Sequence, residues 1–453
     1  MARLVIISNR VPDSAEGGPR AGGLAVGLAE ALIPGTLWFG WSGKTAGETS
    51  TEASCIEADG RLYATIDLSE SDYRAFYLGF SNGTLWPLFH MLPANTLYDR
   101  GDYTVYRAVN RAFATALLPL LRPDDLIWIH DYQLLGVAAA LREYGVGNRI
   151  GFFLHIPFPA PALFELLPPA AELLEAMLAH DVIGFQIEQD RGHFLGAMQS
   201  SLGIAASGGV LQRNGRHVRT IVTPIGIDAD SFGALAANIA RRIDARRVIE
   251  SLAGRALMLG VDRLDYTKGL PERFEAYRRF LQNYPEHRRR ISYLQIAAPS
   301  REEVERYRAL REALDHMTGA INGTYSDFDW VPLRYMTRTA ARSVIAGMYR
   351  IARIGIVTPL RDGMNLVAKE YVAAQNPADP GVLILSRFAG AAIGLPEALL
   401  VNPFDVDAVA AAISTALVMP QDERQARHAA LLGRVRTESA AAWCRAFTAS
   451  LVA

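Results

Sequence analysis

Cysteine is nearly absent: the 453 residues hold two, Cys55 and Cys444, far apart in the chain. A disulfide framework and a cysteine-based metal site are both excluded, since each needs thiols in pairs or at close spacing. An excess of one charge is lacking too, with 46 Lys and Arg against 47 Asp and Glu and a net −1. No global field then favours nucleic acid or an anionic membrane as partner. No apolar run approaches the roughly 20 residues of a membrane span. The opening MARLVIISNR has too short an apolar stretch, and no small-residue cleavage site, for a secretory signal. Asn82-Gly-Thr84 and Asn322-Gly-Thr324 therefore read as chance matches to the glycosylation pattern. The acidic triplets at 228–230, 327–329 and 405–407 have no ligand-spaced histidine, so no metal is expected, and Asp405 reads as a helix N-cap. Neither a nucleophile elbow nor a GxGxxG fingerprint is present. These absences leave a soluble, cytoplasmic protein as the expectation.

What is there is apolar bulk, half of all residues, in a chain long enough for two substantial cores. The informative stretch is Val357–Glu370, VTPLRDGMNLVAKE. Ile354–Thr358 is a β-branched run that reads as a buried strand; Pro359 stops it; Arg361, Asp362 and Gly363 turn the chain. Asn365–Gln375 then has helical apolar spacing, with Asn365 placed as N-cap. Such a turn is an anion site, because backbone N–H groups and the helix dipole point into it. Glu370, inside that helix, is placed to accept hydrogen bonds from sugar hydroxyls. The alternative is a plain βα unit with solvated charges.

The same unit recurs along the chain. Leu4–Ser8 is a strand leading through Asn9 and Arg10 to a loop, and Ala21–Leu32 a helix that starts at Gly22-Gly23, where backbone can approach an anion. Strands follow at Thr36–Trp41, Leu62–Ile66, Leu126–His130, Ile150–Leu154, Val182–Gln186 and Val218–Val222, with a helix expected from Gln133. Asp131 and His155 emerge at strand C-terminal ends, the edge where open parallel sheets bind ligands. Asp72–His90 is rich in rings, and Tyr77 and Trp86 are core or sugar-binding faces. A second half begins near residue 236: a strand at Ala256–Val261, then Asp262–Gly269, where Arg263 and Lys268 flank a helix start as a diphosphate requires. Ser292–Ala297 ends near Arg301, before a charged helix Glu302–Leu314. Alternating strands and helices make both halves doubly wound α/β with parallel sheets, facing each other across a cleft that takes phosphorylated ligands.

At these residues the chain resembles the trehalose-6-phosphate synthases, retaining glycosyltransferases of the GT-B fold. The matching segments are SNRVP at 8–12, AGGLAVG at 21–27, LWFGWSG at 37–43, FSNGTLWPLFH at 80–90, WIHDYQLL at 128–135, GFFLHIPFP at 151–159, DRLDYTKGLPERF at 262–274 and VTPLRDGMNLVAKEYVAAQ at 357–375. The resemblance implies two Rossmann-like domains with the active site in the cleft: an acceptor domain over 1–235, a nucleotide-sugar domain over 236–435, and a C-terminal helix over 436–453 crossing back to the first. It implies a UDP-glucose donor and a glucose 6-phosphate acceptor, with no metal or other cofactor. The donor diphosphate would meet Arg263, Lys268 and Gly22-Gly23. The nucleotide would meet the backbone of Leu366 and Val367 with Glu370 on its ribose, and the donor glucose would meet His155, Asp362 and the N–H groups of Gly363, Met364 and Asn365. Arg10, Tyr77 and Arg301 would hold the acceptor phosphate, and Trp41, Trp86 and Asp131 would line its ring. Catalysis would fall to Arg263, Lys268, His155 and Asp362. A homo-oligomer, dimer or tetramer, is a family expectation, and the product would be dephosphorylated by a separate enzyme. Rival readings are a same-family synthase with another acceptor, such as glucosylglycerol-phosphate synthase, an ADP- or GDP-glucose user, and a non-catalytic sugar-phosphate sensor.

Overall fold

A computed structural model describes residues 2–11, 34–240, 243–301 and 303–453, without the side chains of 243–246. The expected helix at Ala21–Leu32, with Gly22 and Gly23, lies outside the described residues. The chain divides into two compact units, Met1–Ile225 with Ala440–Ala453, and Gly226–Ser439. The sequence boundaries were set at 235 and 435. The helix Ala229–Ile239 packs against helices Arg342–Ile351 and Leu366–Ala374, all of the second unit.

Among its described residues the first unit carries a nine-stranded sheet. Its strands are β1 (Leu4–Arg10), β2 (Leu37–Ala46), β3 (Ser54–Ala58), β4 (Arg61–Ser69), β5 (Leu126–His130), β6 (Arg149–Phe153), β7 (Val182–Phe185), β8 (Val210–Arg213) and β9 (Arg216–Val222). The order is β3-β4-β2-β1-β5-β6-β7-β9-β8. The central runs of β1, β5, β6 and β7 are apolar and buried, as strands covered on both faces are. The expected wholly parallel sheet needs correction: β3 and β8 run antiparallel to β4 and β9. The cause is local. Asp59-Gly60 and Asn214-Gly215 take positive φ at both residues, the two-residue hairpin turn that Asp-Gly and Asn-Gly favour.

The final helix, Ala440–Val452, lies on this sheet: Phe447 stacks on Trp128, centroids 4.4 Å apart. Glycines make the room, since a Cβ at Gly151 would come within 2.6 Å of the Phe447 ring. The aromatic run forms a wide π-helix, Tyr73–Leu85, a rare form that turns up at functional sites. Asn82 Nδ2 donates to the Tyr77 carbonyl inside it, 2.7 Å. The helix expected from Gln133 is a short turn, Tyr132–Leu134, followed by a helix at Val137–Glu143.

His180 is fully buried in this unit, donating from Nδ1 to the Met177 carbonyl at 2.9 Å. Burial pushes its pKa down to about 4. The unfolded chain holds a proton there below roughly pH 6.5, and the folded chain does not until about pH 4. The folded state therefore loses stability as pH falls through that window, with a slope approaching about 1.4 kcal/mol per pH unit for this one group. His180→Gln, which keeps a donor and cannot titrate, should flatten the stability–pH curve below pH ~6 by about that slope in urea titrations. An unchanged slope would refute the assignment.

The second unit carries a six-stranded sheet in the order β12-β11-β10-β13-β14-β15. These are β10 (Ala256–Arg263), β11 (Ile291–Ala298), β12 (Leu333–Met336), β13 (Ile354–Val357), β14 (Val382–Ser386) and β15 (Leu399–Val401), parallel throughout. Helix Leu270–Asn283 packs beneath it. The charged helix is longer than its expected span, Glu305–Tyr325, and buries Tyr307, Leu310, Leu314 and Ile321. One stripe therefore faces the core. No described helix is long and apolar enough to cross a membrane.

Candidate active site

In the second unit the C-terminal ends of β10, β11 and β13 bring together the cations the sequence singled out. β10 ends at Arg263, and Asp265 caps the following turn, its Oδ1 accepting from Thr267 N and Oγ1 at 3.0 and 2.9 Å. Asp265 is fully buried and faces Arg301 at 3.5 Å and Arg263 at 3.8 Å. Burial pushes its carboxyl up, but Arg301, Arg263 and Lys268 outweigh that and hold it below the usual carboxylate range. One ionised carboxylate thus faces two guanidiniums, with the Lys268 charge near enough to help keep it ionised.

Lys268 follows at the end of the turn. Gly269 takes φ +64 and leads into the helix; a Cβ there would meet the Thr358 carbonyl at 2.5 Å. Lys268 Nζ donates to Asp362 Oδ2 at 2.6 Å. The same carboxylate oxygen accepts from Asn365 Nδ2 at 3.0 Å. Asn365 is the N-cap of helix Leu366–Ala374, at φ +77, with Oδ1 accepting from Ala368 N at 3.3 Å. The sequence expectation of a capped helix start is met. First-turn N–H groups at Leu366 and Val367 have no intrahelical acceptor by geometry. The loop through Gly363 and Met364 is pinned where Ala391 N donates to the Met364 carbonyl, 2.8 Å, and Gly390 N to that of Asp362, 3.2 Å. Glu370 Oε1 lies 3.6 Å from Arg342 Nε, a neighbour that no sequence spacing indicated.

Beneath the cluster lies Arg273, which sequence reasoning passed over. Its guanidinium is fully buried and donates to Asp262, to Gln295 at 2.9 Å, to Thr358 Oγ1 at 2.9 Å and to the Lys268 carbonyl at 3.1 Å. It ties the ends of β10, β11 and β13 to the Lys268 turn. Arg301, expected on the acceptor phosphate, belongs to the second unit, at φ +50, and donates to Tyr307 OH at 2.6 Å.

In the first unit the Arg10 guanidinium lies 5.9 Å from the Trp41 ring centroid. Gly43, at φ +90, lets it pass: a Cβ there would meet Arg10 Nε at 2.5 Å. Trp41, Tyr73 and Tyr77 form one ring cluster, with centroids 5.3 to 6.0 Å apart. Trp86 packs on His90 at 4.1 Å and Tyr132 at 5.7 Å. Trp41 and Trp86 are 6 and 4 % exposed, so little of either ring is open. Tyr77 is half-buried.

Asp131 leaves β5 at φ +75, a strained conformation for a non-glycine residue, and its Oδ1 accepts from His155 N at 3.3 Å. Ile225 N donates to Gln186 Oε1 at 2.9 Å, which turns Gln186 Nε2 toward His155 Nδ1 at 3.4 Å. Nδ1 therefore accepts, and His155 Nε2 donates to His130 Nδ1 at 3.1 Å. Burial drives the His155 pKa down to about 3, so the ring is neutral. Both of its nitrogens are engaged, so a sugar hydroxyl would reach it only by displacing Gln186 or His130. Neither partner was legible in the sequence.

Among the described residues no group of three or more His, Cys, Asp or Glu is arranged to hold a metal ion. The description of glycosyltransferase family 20 matches residues 13–453. The chain belongs to glycosyltransferase family 20. It is 45 % identical over 458 residues to a trehalose-6-phosphate synthase of Sinorhizobium fredii, covering 100 % of this chain and 99 % of the relative. A UDP-forming α,α-trehalose-phosphate synthase from Burkholderia xenovorans, solved in complex with glucose-6-phosphate, superposes with a TM-score of 0.97 at 46 % identity, covering all of both chains. An E. coli structure bound with UDP-2-fluoro glucose superposes at 0.94 with 44 % identity, covering 99 % of each. This family 20 chain therefore has the GT-B fold that its sequence led us to expect.

Proposed function

We propose that this chain transfers glucose from UDP-glucose to glucose 6-phosphate, with retention at the anomeric carbon, giving α,α-trehalose 6-phosphate and UDP. The observation that carries the reading is the trio of Arg263, Lys268 and a capped helix start at one sheet edge, ordered by Asp265 and Asp362. Similarity to synthases solved with glucose-6-phosphate and with a UDP-glucose analogue supports the substrate pair.

The chemistry follows from charge. The bond from glucosyl C1 to the β-phosphate oxygen breaks ahead of attack, and negative charge grows on that phosphate. Arg263, Lys268 and the Leu366–Val367 N–H groups are assigned to stabilise it, and this donor set requires no metal. The acceptor's anomeric hydroxyl bonds to glucosyl C1 from the same face, and its proton passes to the departing phosphate. No pair of carboxylates is required, unlike glycoside hydrolysis. Lys268 must leave Asp362 for the phosphate, which frees Asp362 for a glucose hydroxyl beside the N–H groups of Gly363, Met364 and Asn365. Glu370 is assigned to the ribose and Gly22-Gly23 to the diphosphate. Arg10, Tyr77 and Arg301 are assigned to the acceptor phosphate, and Trp41, Trp86 and Asp131 to its ring. His155 is assigned to the donor glucose.

We place the protein in the cytoplasm as a homo-oligomer, dimer or tetramer, a state that sedimentation velocity reads directly. The test of function is UDP release from UDP-glucose with and without glucose 6-phosphate. Release that requires the acceptor, with trehalose 6-phosphate as product, is the expected result. Binding of both ligands without release would identify a sensor instead. A panel of UDP-, ADP- and GDP-glucose against several sugar phosphates fixes the nucleotide and the acceptor.

A further inference from the structure

The second unit has a cavity of about 550 Å³ at the other edge of its sheet, where β10, β11 and β13 begin. Five of its lining residues are arginines: Arg255, Arg289, Arg290, Arg353 and Arg424. None of the lining residues is acidic. The eight-residue strand β10 runs from Ala256 at this cavity to Arg263 at the transfer site, roughly 25 Å away. The two sites therefore share no side chain.

Charge bookkeeping leaves a surplus here. Asp379 takes Arg353 and Arg424, Asp329 takes Arg255 and Arg289, and Asp327 takes Arg289 again. Three carboxylates thus face five guanidiniums. Arg290 has no side-chain partner among the described residues. Two of the guanidiniums, those of Arg255 and Arg424, are also held in place before any ligand arrives. Arg424 is 7 % exposed and donates to the Met419 and Pro380 carbonyls. Arg255 donates to the Arg289 and Leu252 carbonyls. Fixed guanidinium forks match the paired oxygens of phosphate, and fixing them beforehand lowers the entropy lost on binding. Both loops at the mouth hold non-glycine residues in the left-handed region, Ala253 at φ +48 and Arg289 at φ +62. Conformations of this kind concentrate where loops clamp ligands.

We infer that this cavity is a second anion site, taking a small molecule with two or more linked phosphate groups. A single phosphate would fill a small part of the volume and meet only one or two of the guanidiniums, whereas a chain of phosphates spans Arg290, Arg353 and Arg424 together. The site has no role in the transfer chemistry. Its ligand leaves the donor and acceptor positions open.

The probe is inorganic tripolyphosphate, titrated calorimetrically into the full chain already saturated with UDP and glucose 6-phosphate at about 150 mM salt. Saturation by UDP is checked first, so failure of the functional proposal shows before the probe is added. One further binding event per chain is expected. Arg290→Gln, at an exposed position without a partner, should weaken that event roughly tenfold or more, with UDP affinity and UDP release unchanged. Arg353→Gln should do the same. No further event, or an event in the wild type that Arg290→Gln and Arg353→Gln leave unaltered, would overturn the inference.

Discussion

Lys268→Ala is expected to lower kcat for glucosyl transfer by about 10²–10³-fold while leaving glucose 6-phosphate affinity within about twofold. The reasoning starts at the ammonium, 2.6 Å from Asp362 Oδ2 in the ligand-free chain. Its carboxylate partner is shared with Asn365, so the lysine can swing to a phosphate without stranding Asp362. A group that stabilises charge present only as the bond to UDP breaks acts on the rate, not on binding of the second sugar. Lys268→Arg keeps the charge but not the compact head, and should fall between wild type and alanine. Single-turnover transfer and calorimetric titration of glucose 6-phosphate separate the two quantities. Losses of similar size in both would mean that Lys268 organises the whole site rather than the leaving group.

Arg273→Met is expected to cost about 3–5 kcal/mol of stability, because it strands the Asp262 carboxylate in the interior. Arg273 is fully buried and Asp262 is 8 % exposed. For a unit the size of Gly226–Ser439, unfolding by itself, that corresponds to a fall in Tm of roughly 10 °C. Replacing both, as Arg273→Met with Asp262→Leu, should recover at least half of the loss, since a buried ion pair exchanged for apolar bulk is often close to neutral. The double variant should still transfer glucose slowly, because the bonds from Arg273 to Thr358 and to the Lys268 carbonyl are gone. Calorimetry of the three proteins beside their kcat decides the matter. A double variant no more stable than the single one would show that Arg273 acts through its backbone bonds and not through Asp262.

Much of the second unit could be read along the chain. The run from Ile354 to Gln375 becomes β13, a turn and a helix capped by Asn365, because each step is decided by neighbours within four or five residues. Arg263 and Lys268 sit beside their helix start for the same reason. The Asp-Gly and Asn-Gly turns are equally local, and their hairpin chemistry is the sequence signal for the antiparallel edges. The π-helix is different: its aromatic content is plain in the sequence, but no local spacing signals its wider winding or its packing against helix Arg100–Leu117.

By itself the sequence determined two α/β cores, the strand ends at which ligand-binding side chains emerge, and the family to which the chain belongs. It did so because buried strands, caps and glycine turns are written in short-range spacing. Only tertiary structure decided that Asp265 faces both Arg263 and Arg301, that Arg273 braces the Lys268 turn from below, that Gln186 and His130 occupy both nitrogens of His155, and that five arginines meet at the far edge of the sheet. Each of these is a through-space balance of charge and desolvation that is completed by a residue tens of positions or more away, such as Arg301 for Asp265 and Thr358 for Arg273, and no local pattern encodes such a balance.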